Sequence, residues 1–328
     1  MRSSHMKDRN QGNGRRLDIG VSLYRSLEKL KTTLDCIREN SVTDWHLMIH
    51  VNWQAGDSPG INPPTEEDRK IEAEIRQIVE EDQRITCLNI GPDGRIGSGY
   101  LNSGYAWSVN FLMLHCITEY FAYFDHDAYV RTKGWDEIMC GYLDRFHEVG
   151  IVFPNGGAYP VKRDAYTEVL WAPGFCFLLT NSIRGRMDSN GPEWRGLDTD
   201  LGHQEDPDLC MRLRMAGFRC VAATEVNVTH DATATLDPDL ANQKRIADGV
   251  VRFVDKWTKY FGGANLNYHS PNVLRWEDWP PNALYLEAYW KQKLPGLNDA
   301  PERVEVDGRK YDLIKVPRLA GFYTGRVI

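Results

Sequence analysis

Apolar residues return along this chain in two alternating rhythms. Leu17 to Leu23 and His46 to Val51 read as short strands, whereas Leu27, Leu30, Leu34 and Ile37 recur at spacings of three and four, one buried face of a helix. After a Gly- and Pro-rich loop from Trp53 to Pro64, Thr65 with Asp68 resembles a capping box, and Ile71, Ile75, Ile78 and Val79 give the next helix its inward side. A third strand is predicted over Arg84 to Ile90. It runs into Gly91-Pro92-Asp93-Gly94-Arg95-Ile96-Gly97-Ser98-Gly99, too rich in glycine for regular structure and suited to approaching a ligand. A helix over about Tyr105 to Thr118 then precedes the aromatic strand Tyr120 to Phe124. Farther on, the pattern predicts strands at Gly150 to Phe153, Glu168 to Thr180 and Arg219 to Thr224. Helices are predicted over Pro207 to Ala216, ended by Gly217, and over about Ala241 to Tyr260.

Alternation of this kind belongs to an α/β domain with a largely parallel sheet flanked by helices, in which ligands gather at the carboxyl ends of strands. Residues 17–260 read as that domain. Residues 261–328, carrying Trp276, Trp279, Tyr285, Tyr289 and Trp290, read as an ordered extension or an acceptor-side lid. Residues 1–16 read as a tag remnant and disordered N-terminus, with Met1 to Met6 as a cloning remnant.

Composition narrows the partners. The 328 residues, 42% of them hydrophobic, can bury one large core or two modest ones. A net charge of −7 offers no general attraction to nucleic acid or anionic lipid, so neither is an expected partner. The seven cysteines are scattered through apolar stretches such as Phe175-Cys176-Phe177 and read as reduced core residues. No run approaches the roughly 20 apolar residues of a membrane span, and the polar N-terminus lacks a signal-peptide core, so a cytoplasmic location is expected. Asn227-Val228-Thr229 matches a glycosylation sequon, which has no consequence without a secretory route.

The chemistry concentrates where the aromatic strand ends, at Asp125-His126-Asp127. Two carboxylates one residue apart can reach one hard divalent cation if the chain turns there, although aspartates also serve as solvated turn residues. Eighty residues after Asp125 come Glu205-Asp206-Pro207-Asp208-Leu209, then Gly217, then Val228-Thr229-His230-Asp231. This order, together with Tyr105-Ala106-Trp107-Ser108-Val109-Asn110 upstream, resembles the GT-A glycosyltransferases, particularly those similar to family 2. The shared features are an Asn-bearing helix, a strand ending in Asp-x-Asp, an acidic motif opening a helix, and a late metal-binding His.

The resemblance implies a nucleotide-sugar half over 17–127 and an acceptor half over 128–260. It makes Asp125 and Asp127 the ligands of a diphosphate-bound cation, Asp127 the more direct, and His230 the third protein ligand. An imidazole beside two carboxylates favours Mn2+ over Mg2+. It further implies Asp206 as the general base, with Glu205 beside it, and Ser22, Tyr24, Asn52, Arg95, Asn110, Asp125 and His126 as nucleotide-sugar contacts. Trp171 and Trp194 fall where the sugar and acceptor would stack. For Asp206 the residues allow another reading, a helix N-cap followed by proline at the first helical position. His230 could equally be a hydrogen-bonded strand-end residue, and Trp171 plain core. The family's Asp-Asp-Gly-Ser signature is replaced here by Val51-Asn52-Trp53-Gln54, which leaves the base of the nucleotide open.

The function so implied is metal-dependent transfer of a sugar from a UDP- or GDP-sugar to a hydroxyl of a glycan, small molecule or protein, with inversion. Retention on the same fold, a sugar-nucleotide nucleotidyltransferase and a non-catalytic carbohydrate-binding protein stand as alternatives.

Overall fold

The computed structural model describes residues 16–24, 26–52, 66–89, 104–157, 160–183, 196–215, 217–231, 248–249 and 252–253, and the strand segments 283–287, 303–306, 309–315 and 322–327. Within them the chain alternates strands and helices through its first half. These are β1 (Arg16–Leu23), α1 (Leu27–Asn40), β2 (Asp44–Val51), α2 (Glu66–Glu81), β3 (Ile85–Cys87), α3 (Tyr105–His115) and β4 (Tyr120–Asp125). Then follow β5 (Ala128–Val130), α4 (Trp135–Arg145), β6 (Val149–Pro154), β7 (Val161–Lys162), β8 (Thr167–Glu168), β9 (Cys176–Thr180), α5 (Glu205–Met215), β10 (Arg219–Ala223) and β11 (Val228–His230).

Nine strands join in the order β3-β2-β1-β4-β9-β6-β10-β8-β7, while β11 and β5 form a separate two-stranded ribbon. Only β8 and β9 run against the other strands of the large sheet, so it is mostly parallel. Strand alternation divides the core between two faces. Leu17, Ile19, Val21 and Leu23 of β1 point to the face covered by Leu30, Leu34 and Ile37 of α1, Ile71, Ile75 and Ile78 of α2, and Trp135 and Met139 of α4. On the other face, Phe121 and Tyr123 of β4 meet Val109, Leu112 and Met113 of α3 and Leu209 and Leu213 of α5. Gly20 lets α3 sit close to the sheet, since a Cβ there would lie 2.9 Å from Phe121 and 3.0 Å from Leu112.

Several boundaries differ from the sequence reading. The strand expected over Glu168 to Thr180 is two, β8 and β9, separated by a turn through Gly174. Helix α3 stops at His115 because the buried Asp18 carboxylate captures the backbone N–H groups of Ile117 and Thr118 at 2.8 and 3.0 Å. Helix α5 starts at Glu205, ahead of the expected Pro207. Helix α4 and strand β5 carried no expectation at all. Of the predicted helix over 241–260 only 248–249 and 252–253 are described, and they are helical; most of the aromatic tail lies outside the described residues. The tail does contribute β12 (Ala283–Glu287), β13 (Arg303–Val306), β14 (Arg309–Lys315) and β15 (Phe322–Val327), an antiparallel sheet in the order β12-β15-β14-β13 that the sequence reading did not foresee. All seven cysteines are free thiols, buried except for the partly buried Cys87.

One carboxylate gives the fold a pH-dependent anchor. Asp82, closing α2 into β3, accepts from the Arg84 guanidinium at 2.9 Å, from the Arg84 N–H at 3.1 Å and from Arg38 at 3.1 Å. The Arg84 guanidinium outweighs the opposing effect of burial, and the pKa falls from 3.8 to about 2. A folded-state pKa below the unfolded value stabilises above the unfolded pKa and is lost as pH falls through the folded one. Asp82→Asn is therefore expected to flatten the decline in denaturant-midpoint stability between pH 3.8 and about 2. Superimposable acid limbs in variant and wild type would rule this anchor out.

Candidate functional site

The carboxyl end of β4 meets three other pieces of chain. The ribbon pairs His230 of β11 with Ala128 of β5, and the Asp231 N–H extends it by donating to the Asp127 carbonyl at 3.0 Å. From the other side the Asp125 N–H donates to the carbonyl of Phe175 at 2.8 Å, and the Phe175 ring stacks on His230 at 4.6 Å between centroids. The imidazole is thus wedged between a ring and two carboxylates. Its Nε2 lies 3.2 Å from Asp127 Oδ1 and 3.6 Å from Asp125 Oδ2.

The side chains of Asp125, Asp127 and His230 each offer one ligand atom, all within 4.8 Å of one another. Asp127 is 1% exposed, yet neither its Oδ2 nor the His230 Nε2 has a hydrogen-bond partner. Buried polar atoms left unbonded while converging on one point fit a cation better than a packing role. Two carboxylate oxygens and an imidazole form a mixed donor set suited to a divalent metal ion. The electrostatics agree with that donor set. Burial pushes the Asp125 carboxyl up to about 7 although His230 and Tyr123 pull it down, with Asp127 and Asp206 adding like-charge repulsion. Burial would lower the His230 pKa, but the carboxylates of Asp127, Asp125 and Asp231 raise it. The carboxylates that raise His230 and add to the upward shift of Asp125 are negative charge that a divalent ion would neutralise.

Asp206 lies in the first turn of α5 and does not cap it. Its Oδ2 instead accepts the Gly174 N–H at 2.8 Å, across the turn that leads into β9. The N-cap reading therefore gives way, because the helix begins at Glu205, two residues before Pro207, after Gln204 with its φ of 72°. Tyr105, opening α3, donates to the Gly174 carbonyl at 2.9 Å, so both polar groups of that glycine are held. Burial drives the Tyr105 hydroxyl well above its ordinary pKa, and Asp206, Tyr123, Asp125 and Glu205 reinforce the shift. Glu205 is 5% exposed beside it.

The remaining expected site residues occupy varied settings. Ser22 is buried at the end of β1 and accepts from the Ser108 hydroxyl at 2.7 Å. Asn52, just past β2, donates to the Gly104 carbonyl at 3.2 Å and ties that strand end to the start of α3. The Asn110 amide grips the backbone of Leu197: its nitrogen donates to Leu197 O at 2.7 Å and its oxygen accepts Leu197 N–H at 2.6 Å. Its geometry holds the 196–197 segment, and a Cβ at Gly196 would collide with it. His126 is 3% exposed, and burial lowers its pKa to about 4, leaving it neutral. Tyr24 follows β1 and is partly buried, and Trp171 packs its partly buried ring against the second core face. Arg95 and Trp194 lie outside the described residues.

Three residues at the site carried no expectation. Tyr123 donates to Asp125 Oδ1 at 2.7 Å. Its position two residues before Asp125, on the same strand face, was the available signal. Lys29 of α1 places its Nζ 3.0 Å from Asp231 Oδ2 and 3.8 Å from Asp127 Oδ2, a placement that helix periodicity reads only as solvent-facing. Gly174, whose N–H and carbonyl engage Asp206 and Tyr105, had no local signal in the sequence.

No protein-family model matches the chain, and no curated protein matches it. Among solved structures it is similar to the mannosyltransferase PcManGT from Pyrobaculum calidifontis, which was solved in complex with GDP-Man and Mn2+. The TM-score is 0.50 at 16% identity, covering 76% of this chain and 65% of that one. This chain thus spans just under two thirds of the length of that protein. S. aureus TarS 1-349 aligns at TM-score 0.43 and 12% identity over 76% of this chain and 75% of its own. Its complex with UDP aligns at the same TM-score and identity over 77% and 73%. The likeness to the mannosyltransferase is one of fold, a mixed α/β architecture with a mostly parallel, Rossmann-like sheet flanked by helices.

Proposed function

We propose that this protein is a metal-dependent glycosyltransferase that moves a sugar from a UDP- or GDP-linked donor to an acceptor hydroxyl with inversion at the anomeric carbon. The observation that carries the reading is the convergence of Asp125, Asp127 and His230 on one point, with the Asp206 carboxylate near enough to raise the Asp125 pKa. The sheet supporting them has the fold of an enzyme solved with GDP-Man and Mn2+.

Asp125, Asp127 and His230 would hold the ion, Mn2+ being preferred to Mg2+. When bound, it supplies a charge that neutralises the diphosphate as it leaves. Lys29, 3.8 Å from Asp127, adds a second positive charge on the same side. Asp206 acts as the base. As the acceptor oxygen bonds to the anomeric carbon, the carbon–phosphate-oxygen bond breaks, the acceptor proton passes to a carboxylate oxygen of Asp206, and the nucleoside diphosphate departs with the bonding pair. The Gly174 N–H donates to Asp206 Oδ2 and so fixes the orientation of the carboxylate that takes that proton. Glu205 stands beside it at the helix start. Ser22, Tyr24, Asn52, Asn110, His126 and Arg95 remain the proposed nucleotide-sugar contacts, with Trp171 and Trp194 as sugar or acceptor platforms. The acceptor is a glycan, small molecule or protein, and the setting is proposed to be cytoplasmic. No helix among the described residues is long and apolar enough to cross a membrane.

The test is a screen of donor hydrolysis across UDP-, GDP- and other nucleotide-sugars, with and without Mn2+. Mn2+-dependent release of UDP or GDP is the expected result. Release of pyrophosphate would point to nucleotidyl transfer, and binding of free glycan with no donor turnover would point to a carbohydrate-binding protein.

Gly174 offers a sharper probe of the base. A Cβ there would collide with the Tyr105 hydroxyl and lie 2.9 Å from Asp206 Cγ, so Gly174→Ala must push one of them aside. Displacement of a catalytic group by an ångström costs about 100-fold in turnover. The variant is expected to lose that much kcat while its Mn2+ affinity, measured by calorimetry, stays at the wild-type value. Undiminished turnover would remove Asp206 from the chemistry.

A further inference from the structure

The orientation of Asp125 is set from beneath the site. Three neighbouring strands place Ser22 of β1 opposite His50 of β2 on one side and Asp125 of β4 on the other. The His50, Ser22 and Tyr123 side chains all face α3, where Ser108 is inserted among them. His50 Nδ1 is 2.6 Å from Ser108 Oγ, the Ser108 hydroxyl donates to Ser22 Oγ at 2.7 Å, Ser22 is a polar neighbour of the Tyr123 hydroxyl, and Tyr123 donates to Asp125 Oδ1 at 2.7 Å. All four side chains are at most 6% exposed.

The two donors that geometry assigns determine the rest. Tyr123 spends its proton on Asp125, so toward Ser22 it can only accept. Ser22 accepts from Ser108, and Ser108, whose proton is spent, must accept from His50 Nδ1–H. Every bond then points one way. His50 is neutral, because burial first and His115 second lower its pKa to about 4, so this tautomer leaves its Nε2 a bare lone pair. That nitrogen is the buried ring atom without a hydrogen-bond partner, among the rings of Trp107 and Phe111. An unpaired lone pair against aromatic rings is tolerable where an unpaired N–H would not be.

On the reading of this site as a metal centre, we infer that Tyr123 is a positioning residue, held by the one-directional chain His50–Ser108–Ser22, that decides which oxygen of Asp125 faces the ion. With Oδ1 committed to Tyr123, Oδ2 is the atom turned toward His230, 3.6 Å away. Bonds aligned head to tail polarise one another, so the far end of the chain acts on the near end. Groups that orient metal ligands contribute 10- to 100-fold to metal affinity.

The test uses Mn2+ alone as the probe, on the full chain. Tyr123→Phe keeps the ring packed on Phe177 and removes the hydroxyl. It is expected to weaken Mn2+ binding about 10-fold, with transfer restored by saturating Mn2+. Ser108→Ala, a substitution favourable to its helix, is expected to weaken Mn2+ binding in the same direction by a smaller factor. The double variant should bind no worse than Tyr123→Phe, because the two act through one chain. Nitrogen-15 shifts should show His50 protonated at Nδ1 only. Independent, multiplying effects, unchanged affinity in Ser108→Ala, or an Nε2–H tautomer would each overturn the relay. A wild-type chain that binds no Mn2+ would overturn the relay and the metal centre together, which separates failure of the site from failure of the chain.

Discussion

Asp127→Asn is expected to lower donor turnover by on the order of 1000-fold, the rate equivalent of the several kcal/mol a Lewis-acidic ion contributes when charge develops on a leaving phosphate. Mn2+ affinity, followed by calorimetry, should fall with it. The fold should not suffer. The Asp127 carbonyl anchors Asp231, and a substitution leaves that backbone bond in place; the 3.8 Å ion pair of Oδ2 with Lys29 is lost, but Lys29 keeps its 3.0 Å pair with Asp231, and a carboxamide oxygen can keep the 3.2 Å approach to His230. Burial is what chiefly raises the Asp125 pKa to about 7, and asparagine removes the like-charge repulsion that Asp127 adds to it. The metal-free variant should therefore melt no lower than the metal-free wild type. That combination, activity lost and stability kept or gained, distinguishes a working site from a structural one. Wild-type turnover in this variant would end the metal assignment.

Asp206→Asn carries the second large effect. General bases contribute about 100- to 10,000-fold, and a loss in that range is expected in kcat, with donor KM and Mn2+ affinity held near wild type. The carboxamide oxygen can still accept the Gly174 N–H that Oδ2 accepts now, so the turn before β9 stays in place. What changes is the other atom, an NH2 presented where the acceptor hydroxyl requires a proton acceptor. Parallel measurement of Glu205→Gln separates the two acids, since a base loss confined to Asp206 should leave the neighbour's variant well above it. Equal loss in both would assign the effect to the start of α5 as a unit.

The sequence carried the early fold and the ends of the site, for identifiable reasons. Strands β1, β2 and β4 are runs of apolar residues bounded by polar turns, and α1 repeats its buried leucines at helical spacing, so both periods stand out. The acidic pair and the late histidine were readable because chemistry at strand ends leaves charged residues in apolar surroundings. Other features had no local signal. Glu168 sits in a two-residue strand, where it takes 2.7 Å and 3.2 Å bonds from Arg219 and Arg214, residues some 50 positions away in the chain. The break between β8 and β9 was hidden by a continuous apolar run through Val169 and Leu170 whose turn depends on Asp206 and Tyr105. Helix α4 begins after Gly134 in a left-handed conformation and keeps Asp136 buried to accept N–H groups from Val42 and Thr43, a polar inward position that breaks the amphipathic pattern. Asn110 illustrates the converse: its residue type was noticed, but only the folded chain shows both ends of the amide gripping Leu197.

The ribbon of β5 and β11 gives the site a separate fate from the sheet beneath it. His230 is carried by a strand of three residues, secured alongside by Asn155 and Thr132 reaching to Val228 and Asn227. Unzipping so short a pairing needs far less than unfolding nine strands. An occupant gripping Asp125, Asp127 and His230 at once would therefore act as a clasp on the ribbon, and the ribbon as a latch on the occupant. Each strengthens the other by the same free energy, whichever is fastened first.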